Sequence, residues 1–391
     1  MSTDARPAHL HGLDGLRGVA CIAVFVDHVE QYAEWLSMPH GYGPSLQALG
    51  RQGVELFFVL SGYLITYRML REREATGRVS IPRFYLRRAL RIWPLYYVAV
   101  FAVFQVVPWM VHHVAGPTVR DASGWYLDGI PGDGRLTWYL LLLPHIAYVT
   151  LPPVLCGTHL WSIGVEEQFY LLWPWLLRLA GRRPLAMFTI VVAASFALND
   201  ALFPWGESLR PWLGDDNLES MRMYADHAHV EAMAIGAFVA WAAVHERPAL
   251  ERLASDPWTR AFAYIALPLG WYFFRNWHTE IGPALIYAFA LAALSHGPKS
   301  RFLDWAPIRA VGVRSYALYV VHPFALFVTG VVFDRAGWLE GPHARWPYVA
   351  FGFAASLGLA AAAYRFVEAP GLALKDRWGQ ARSSSSSASP A

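Results

Sequence analysis

Apolar residues along this chain fall in blocks of roughly 16 to 21, each long enough to cross a hydrocarbon layer of about 30 Å as a helix. Polar or arginine-rich stretches separate the blocks, which lie near 13–33, 50–67, 92–111, 160–177, 185–203, 228–244, 260–275, 281–296, 313–333 and 347–366. Lipid offers a backbone no hydrogen-bond partners, so segments of this kind satisfy their own N–H and C=O groups as helices. The pattern predicts an all-α fold, a polytopic transmembrane helical bundle with about 10 spanning helices. The segment WYLLLLPHIAYVTLPP (138–153) is ambiguous. If it spans, Arg178, Arg182 and Arg183 fall outside, so it is read as a re-entrant or interfacial piece.

Charge sets the expected orientation. The connection YRMLREREATGRVSIPRFYLRRALR carries eight Arg against two Glu. RLAGRRP, HERPALERLASDPWTR, GPKSRFLDWAPIRAVGVR and KDRWGQAR fall on the same side, whereas Asp121, Asp128, Asp133, Asp215 and Asp216 fall on the other. The positive-inside rule then puts both termini in the cytoplasm of a multi-pass protein of the cell membrane. Residues 1–12 are expected to be a cytoplasmic N-terminus, 13–370 a membrane domain, and 371–391 a polar cytoplasmic tail. The N-terminus lacks a basic n-region and an A-x-A-like cleavage site, so the first block reads as an uncleaved span. The ending RSSSSSASPA has nothing to bury and is expected to be disordered. Neither an internal repeat nor a second soluble domain stands out.

Composition agrees with the pattern. The chain is 55% hydrophobic and 16% charged, against about 25% charged in soluble domains, and its mean hydropathy is +0.29. A formal charge of +3 is too small to argue for nucleic acid. The two cysteines, Cys21 and Cys156, imply no disulfide framework.

Ionisable residues inside membranes are expensive and mark functional candidates. Arg17 and His28 lie in the first block, LDGLRGVACIAVFVDHV. Eleven helical residues advance about 16 Å in about three turns, so both side chains leave one face, Arg17 near the water boundary and His28 near mid-bilayer. In GVELFFVLSGYLIT, Glu55 is open between a structural ion pair and a pore-lining acid, and Ser61–Gly62 suits close helix packing. In HLWSIGVEEQFYLLWP, His159, Ser162, Glu166, Tyr170 and Trp173 recur every three or four residues and form one polar-aromatic stripe. Either Glu166 or Glu167 is alternatively a partner for an Arg on a neighbouring helix. In VRSYALYVVHPFALF, Ser315, Tyr319 and His322 share a face, and Pro323 frees a carbonyl beside the His. A polar kink lining a cavity and a hydrogen-bonded core His both fit that pattern. In RFYLRRALRIWPLYY, Arg83/Arg87 and Arg87/Arg91 are i,i+4 pairs, with Arg88 beside them. Positive-inside anchoring explains part of this cluster. Arg also presents a planar fork suited to phosphates, with Tyr and Trp at hand to stack an adenine.

Taken together, LDGLRGVACIAVFVDH, GVELFFVLSGYLIT, RFYLRRALRIWPLYY, HLWSIGVEEQFYLLWP, GVRSYALYVVHPF and YRFVEAP resemble the acyltransferase 3 family of integral membrane acyltransferases. The motifs run in the family's order from residue 13 to about 370. The resemblance implies a bundle of about ten spans that moves an acyl group, often acetyl, from a coenzyme A thioester to a hydroxyl, commonly on a carbohydrate. It maps the family's Arg and His pair onto Arg17 and His28, its acid onto Glu166 or Glu167, and a serine onto Ser61. Glu55 stands where the family often has Asp. No appended esterase-like domain follows the last motif, so the membrane unit is expected to act alone or to hand its acyl group to a partner.

The chemistry fits this implication. A hydroxyl is a poor nucleophile at neutral pH, and His is the usual base for activating one. Glu166 is expected to orient the imidazole or stabilise its charged form, as a carboxylate does in a triad. No G-x-S-x-G elbow is present, which favours direct base-assisted transfer, with a transient acyl-histidine left open. No metal constellation and no permanently bound cofactor are expected, and acyl-CoA enters as a donor substrate. The expected partners are the lipid bilayer, acyl-CoA and a carbohydrate or glycosylated small-molecule acceptor, without nucleic acid. The rival reading is a transporter using His28, Glu166 and His322 as a proton relay. Transporters often show repeated halves and paired broken helices, and neither is evident.

Overall fold

The computed structural model describes residues 12–38, 44–127, 132, 134–202, 208, 215–274, 281–341 and 343–373. Residues 1–11 and the tail beyond 373 lie outside them, as do Asp128 and Asp133. Among the described residues the regular structure is all helix, with no strand. The helices are α1 (Leu13–Trp35), α2 (Pro44–Thr76), α3 (Ile81–Phe101), α4 (Val107–His113), α5 (Pro117–Leu127), α6 (Arg135–Leu140), α7 (Pro144–Thr150), α8 (Trp161–Ala180) and α9 (Pro184–Leu202). They continue with α10 (Asp215–Asp226), α11 (Val230–His245), α12 (Arg247–Ser255), α13 (Pro257–Phe274), α14 (Ile281–Ser295), α15 (Ala306–Val313), α16 (Ser315–Ala336) and α17 (Arg345–Ala363). Proline in the first turn opens several of them, including α3, α7, α12 and α15. Its missing N–H has no intrahelical partner at that position, and its fixed φ is already helical.

Each apolar block of the sequence lies on a helix. Among the described residues five stretches are long and apolar enough to cross a membrane: Ala48–Thr76, Ile81–His113, Leu218–His245, Ser315–Ala336 and Arg345–Ala373. Pro184–Leu198 and Ile281–Ser295 are shorter apolar helices. α1 and α8 fall short of that standard because of their charges. They carry Asp14, Arg17, Asp27 and Glu30, and Glu166, Glu167 and Arg178, respectively, within otherwise apolar sequence. The segment 138–153 does not form one long helix. α6 ends, Leu142 turns back with φ of 61°, and α7 begins at Pro144.

The chain forms two compact units. One comprises Met1–Glu30, Tyr42–Val79 and Trp175–Ser315. In it α2, α11 and α14 run in the same direction. Glu55 meets His229 and Gly62 meets Met233, while Gln52 meets Tyr287 and Tyr63 meets His296. α9 runs opposite to α11, with Phe188 against Phe238 and Ser195 bonded to Glu231. The tightest approach is between α2 and α11. A Cβ on Gly62 would collide with the Met233 carbonyl, and one on Gly236 with the Val59 carbonyl. Small residues allow this packing where lipid supplies no hydrophobic drive. Gly62→Val is therefore expected to lower stability by about 1–3 kcal/mol or more, measured as thermal unfolding in detergent. An unchanged unfolding temperature would mean that the helices part without loss.

The other unit comprises Gln31–Gly41, Ser80–Pro174 and Tyr316–Ala391. α3 passes through a π-helical turn, Ala102–Val106, into α4. Tyrosine hydroxyls tie its helices together by bonding to main-chain carbonyls. Tyr85 donates to Leu171 at 2.6 Å, Tyr316 to Ile92 at 2.6 Å and Tyr348 to Leu326 at 3.0 Å. Tyr96 and Tyr97 donate to the carbonyls of Tyr139 (2.8 Å) and Leu140 (3.1 Å), at the end of α6. The Tyr139 carbonyl also accepts the Leu142 N–H at 3.1 Å, and at a helix end such phenols supply donors that the helix itself no longer provides.

Candidate active site

In the first unit, His28 points from α1 with its side chain 17% exposed. Its Nδ1 lies 2.9 Å from the Val24 carbonyl. A carbonyl only accepts, so Nδ1 carries the proton and the lone pair belongs to Nε2. The preceding Asp27 is buried, with Oδ2 4.0 Å from His28 Nδ1. Gly50 of α2 makes room for this carboxylate, since a Cβ there would strike it. Arg17, three turns earlier, has its guanidinium 3.8 Å from Asp14. The start of α1 is fixed by Asp304, whose carboxylate accepts the main-chain N–H groups of Gly12 (3.3 Å) and Ser300 (2.8 Å).

Glu55 and Ser61 are both buried on α2. Glu55 Oε2 is 2.8 Å from Nδ1 of His229, and both side chains are almost fully enclosed. His229 adopts a left-handed conformation, φ 47°, at the cap of α11, and its ring packs 4.7 Å from that of Phe58. A non-glycine residue in that region is strained unless its surroundings hold it. The Glu55 bond is one such restraint. Ser61 sits beside the Gly62 contact with α11.

In the second unit the polar stripe of α8 divides into two groups. At the start of the helix, Ser162 Oγ lies 2.6 Å from Tyr319 Oη, and Tyr319 donates to the His159 carbonyl at 2.9 Å. Ser162 Oγ also lies 3.3 Å from that carbonyl, so the two hydroxyls share one acceptor and one of them donates to the other. His159 donates from Nε2 to the Val320 carbonyl at 3.1 Å, near the turn interrupted by Pro323. His322 donates from Nδ1 to Leu318 at 3.0 Å, and its ring centre is 5.6 Å from that of His159. All four side chains are buried.

One turn further along α8, Tyr170 donates to Glu166 Oε2 at 2.9 Å. The Arg88 guanidinium lies 4.9 Å from the centre of the Tyr170 ring and 5.7 Å from that of Phe84. It also interacts electrostatically with Glu166, Glu167 and Arg91. Glu167 faces elsewhere and accepts a bond from Trp93 Nε1 at 3.0 Å. Trp173, the last member of the stripe, is fully buried and stacks on Phe169. The four arginines of α3 thus divide. Arg83 is exposed, Arg87 and Arg91 are half-buried, and Arg88 turns to α8.

Several partners escaped the sequence reading. Asp27, His229, Trp93 and the His145–Gln168 pair (2.9 Å) are ionisable or polar groups inside apolar segments. That position was the available signal.

Comparison with known proteins follows the same stretch of chain. A family model described as an acyltransferase domain matches residues 10–365. O-acetyltransferase OatA of Staphylococcus aureus (strain NCTC 8325 / PS 47) is 26% identical over 387 residues, covering 93% of this chain and 57% of OatA. YrhL of Bacillus subtilis (strain 168), named as a candidate peptidoglycan O-acetyltransferase, is 28% identical over 344 residues, covering 80% of this chain and 48% of YrhL. The chain thus spans about half the length of the curated relatives it matches. No solved structure matches it. The matched residues take in Arg17, His28, the α3 arginines and the α8 and α16 clusters, and the chain belongs to the acyltransferase 3 family.

Proposed function

We propose that this membrane acyltransferase moves an acetyl group from acetyl-CoA to a hydroxyl of a carbohydrate or glycosylated metabolite, with His28 as general base. The observation that carries the reading is the His28 imidazole. It stands in an apolar helix with Nδ1 committed to the Val24 carbonyl, so Nε2 is the basic atom. In the proposed reaction Nε2 takes the proton of the acceptor hydroxyl while its oxygen attacks the thioester carbonyl. The C–O bond forms, the C–S bond breaks, and the departing sulfur of coenzyme A receives the proton back from the imidazolium. Arg17, at the end of the same helix face, is proposed to hold negative charge of the donor or of the developing oxyanion. Within the first unit, Glu55 and Ser61 lie buried on α2; within the second, Ser162, Tyr319 and His322 form a buried, pre-bonded polar patch.

The test uses purified, detergent-solubilised protein with acetyl-labelled acetyl-CoA and a panel of saccharide and glycoside acceptors. Label on an acceptor hydroxyl with matching release of free coenzyme A thiol is expected. Absence of thiol release with every acceptor, together with proton movement in liposomes, would overturn the reading.

The arginines supply a separate prediction for the donor. Arg87 and Arg91 lie one turn apart on α3 and are proposed to meet its phosphates. Changing both to Gln is expected to raise the KM for acetyl-CoA about tenfold or more, with kcat little changed and a weaker dependence on salt. If the KM stays constant and only membrane insertion suffers, the pair is a topology signal.

A further inference from the structure

The first unit contains a groove that the acyl transfer does not use. It has a volume of about 650 Å³ and lies between α9, α11 and α14. Its floor is made by small or short side chains, Ala288 and Ala292 of α14 with Ile235 of α11, all buried, and its walls include the exposed Phe196 and Leu285. The one hydroxyl among the lining residues, that of Thr189, donates to the Leu185 carbonyl at 3.0 Å. A sugar or nucleotide placed here would lose its water and find no partners. From Ile281 to Ala292 the groove follows α14 for about 16 Å, the run of an extended hydrocarbon chain.

One end of the groove is charged. α9 begins at Pro184, directly after the exposed Arg182 and Arg183, and Thr189 lies about 9 Å further along its axis. The turn that carries these arginines is tied down, because Arg73 of α2 donates to the Gly181 carbonyl at 2.7 Å. The end of α11 arrives at the same level with the exposed Glu246 and with Arg247, which pairs with Glu251 at 2.7 Å. Arg182 and Arg183 thus give that end an excess of positive charge. A basic rim above an apolar slot between membrane helices is the arrangement that binds an anionic lipid headgroup.

We propose that this groove is a binding site for one anionic glycerophospholipid, with an acyl chain along α14 and the phosphate at Arg182 and Arg183. The charge decides between lipids, because a zwitterionic lipid of equal chain length fills the slot equally well and gains little at the rim. Each Arg near an anionic headgroup contributes about 1 kcal/mol, so the pair gives a preference of roughly 30-fold.

The test is native mass spectrometry of the full chain in detergent, titrated with dioleoyl phosphatidylglycerol or dioleoyl phosphatidylcholine. The wild type is expected to retain one phosphatidylglycerol, with phosphatidylcholine bound more weakly by that factor. Arg182→Gln combined with Arg183→Gln should remove the preference and leave phosphatidylcholine binding unchanged. Ala288→Phe fills the slot, and Leu285→Ser makes its exposed wall polar. Either change should reduce retention of both lipids, and the second alters a surface residue that folding does not need. Equal retention of the two lipids by the wild type, or undiminished phosphatidylglycerol binding in both groove variants, would overturn the proposal.

Discussion

Replacing His28 by alanine is expected to lower transfer about 10²–10⁴-fold while the protein stays folded and membrane-inserted. Nδ1 is held by a carbonyl one turn earlier on the same helix, and the side chain is not part of the fully buried core of α1. Its removal therefore leaves the docking of the helix to the glycines of α2 intact, and the loss falls on chemistry. His28→Asn sharpens the test, because the amide can still donate to Val24 and yet is no base. Both variants should be inactive with an unfolding temperature close to that of wild type. Turnover above about half of wild type in either would remove His28 from the mechanism.

The second large effect is expected at Glu166. Glu166→Gln keeps the size of the side chain and an acceptor for Tyr170, but removes the charge that faces Arg88. The bond from Tyr170 to the charged carboxylate is worth about 1.5–3 kcal/mol, and a neutral amide oxygen accepts it more weakly, so activity should fall about ten- to a hundredfold. Glu167→Gln should cost less, because Gln still accepts the Trp93 N–H and that indole is itself partly exposed. Tyr170→Phe provides the internal control. If the Glu166–Tyr170–Arg88 chain acts as a unit, the loss of Tyr170 and that of Glu166 should be far from additive in the double variant. The reverse ranking of the two glutamates, with Glu167→Gln inactive, would place the working face of α8 on the Trp93 side.

Helical periodicity made much of this legible from the sequence. The stripe on α8 was readable because residues three and four apart share a face, and the Tyr170–Glu166 bond is such a pair. The apolar blocks located the helices for the same reason. Their number as membrane crossings was less readable, since α1 and α8 place charged groups where span-length sequence is normally apolar. The arginine cluster shows the limit of local reading. Arg87 and Arg88 are neighbours in sequence, yet successive helical residues point about 100° apart. Only the position of Tyr170 on another helix reveals which of them turns inward. The Glu55–His229 pair was out of reach altogether, because it joins residues far apart in the chain and rests on a left-handed cap that no local pattern announces.

The contact between α2 and α11 also has a genetic consequence. At Gly62 and Gly236 the opposing atoms belong to the main chain of Met233 and Val59, not to side chains. A larger residue at either glycine cannot be offset by trimming its neighbour, since every amino acid carries the same carbonyl. A suppressor screen on a defective Gly62 variant should yield reversion to glycine, or changes elsewhere that let a whole helix shift, but no compensating substitution at position 233.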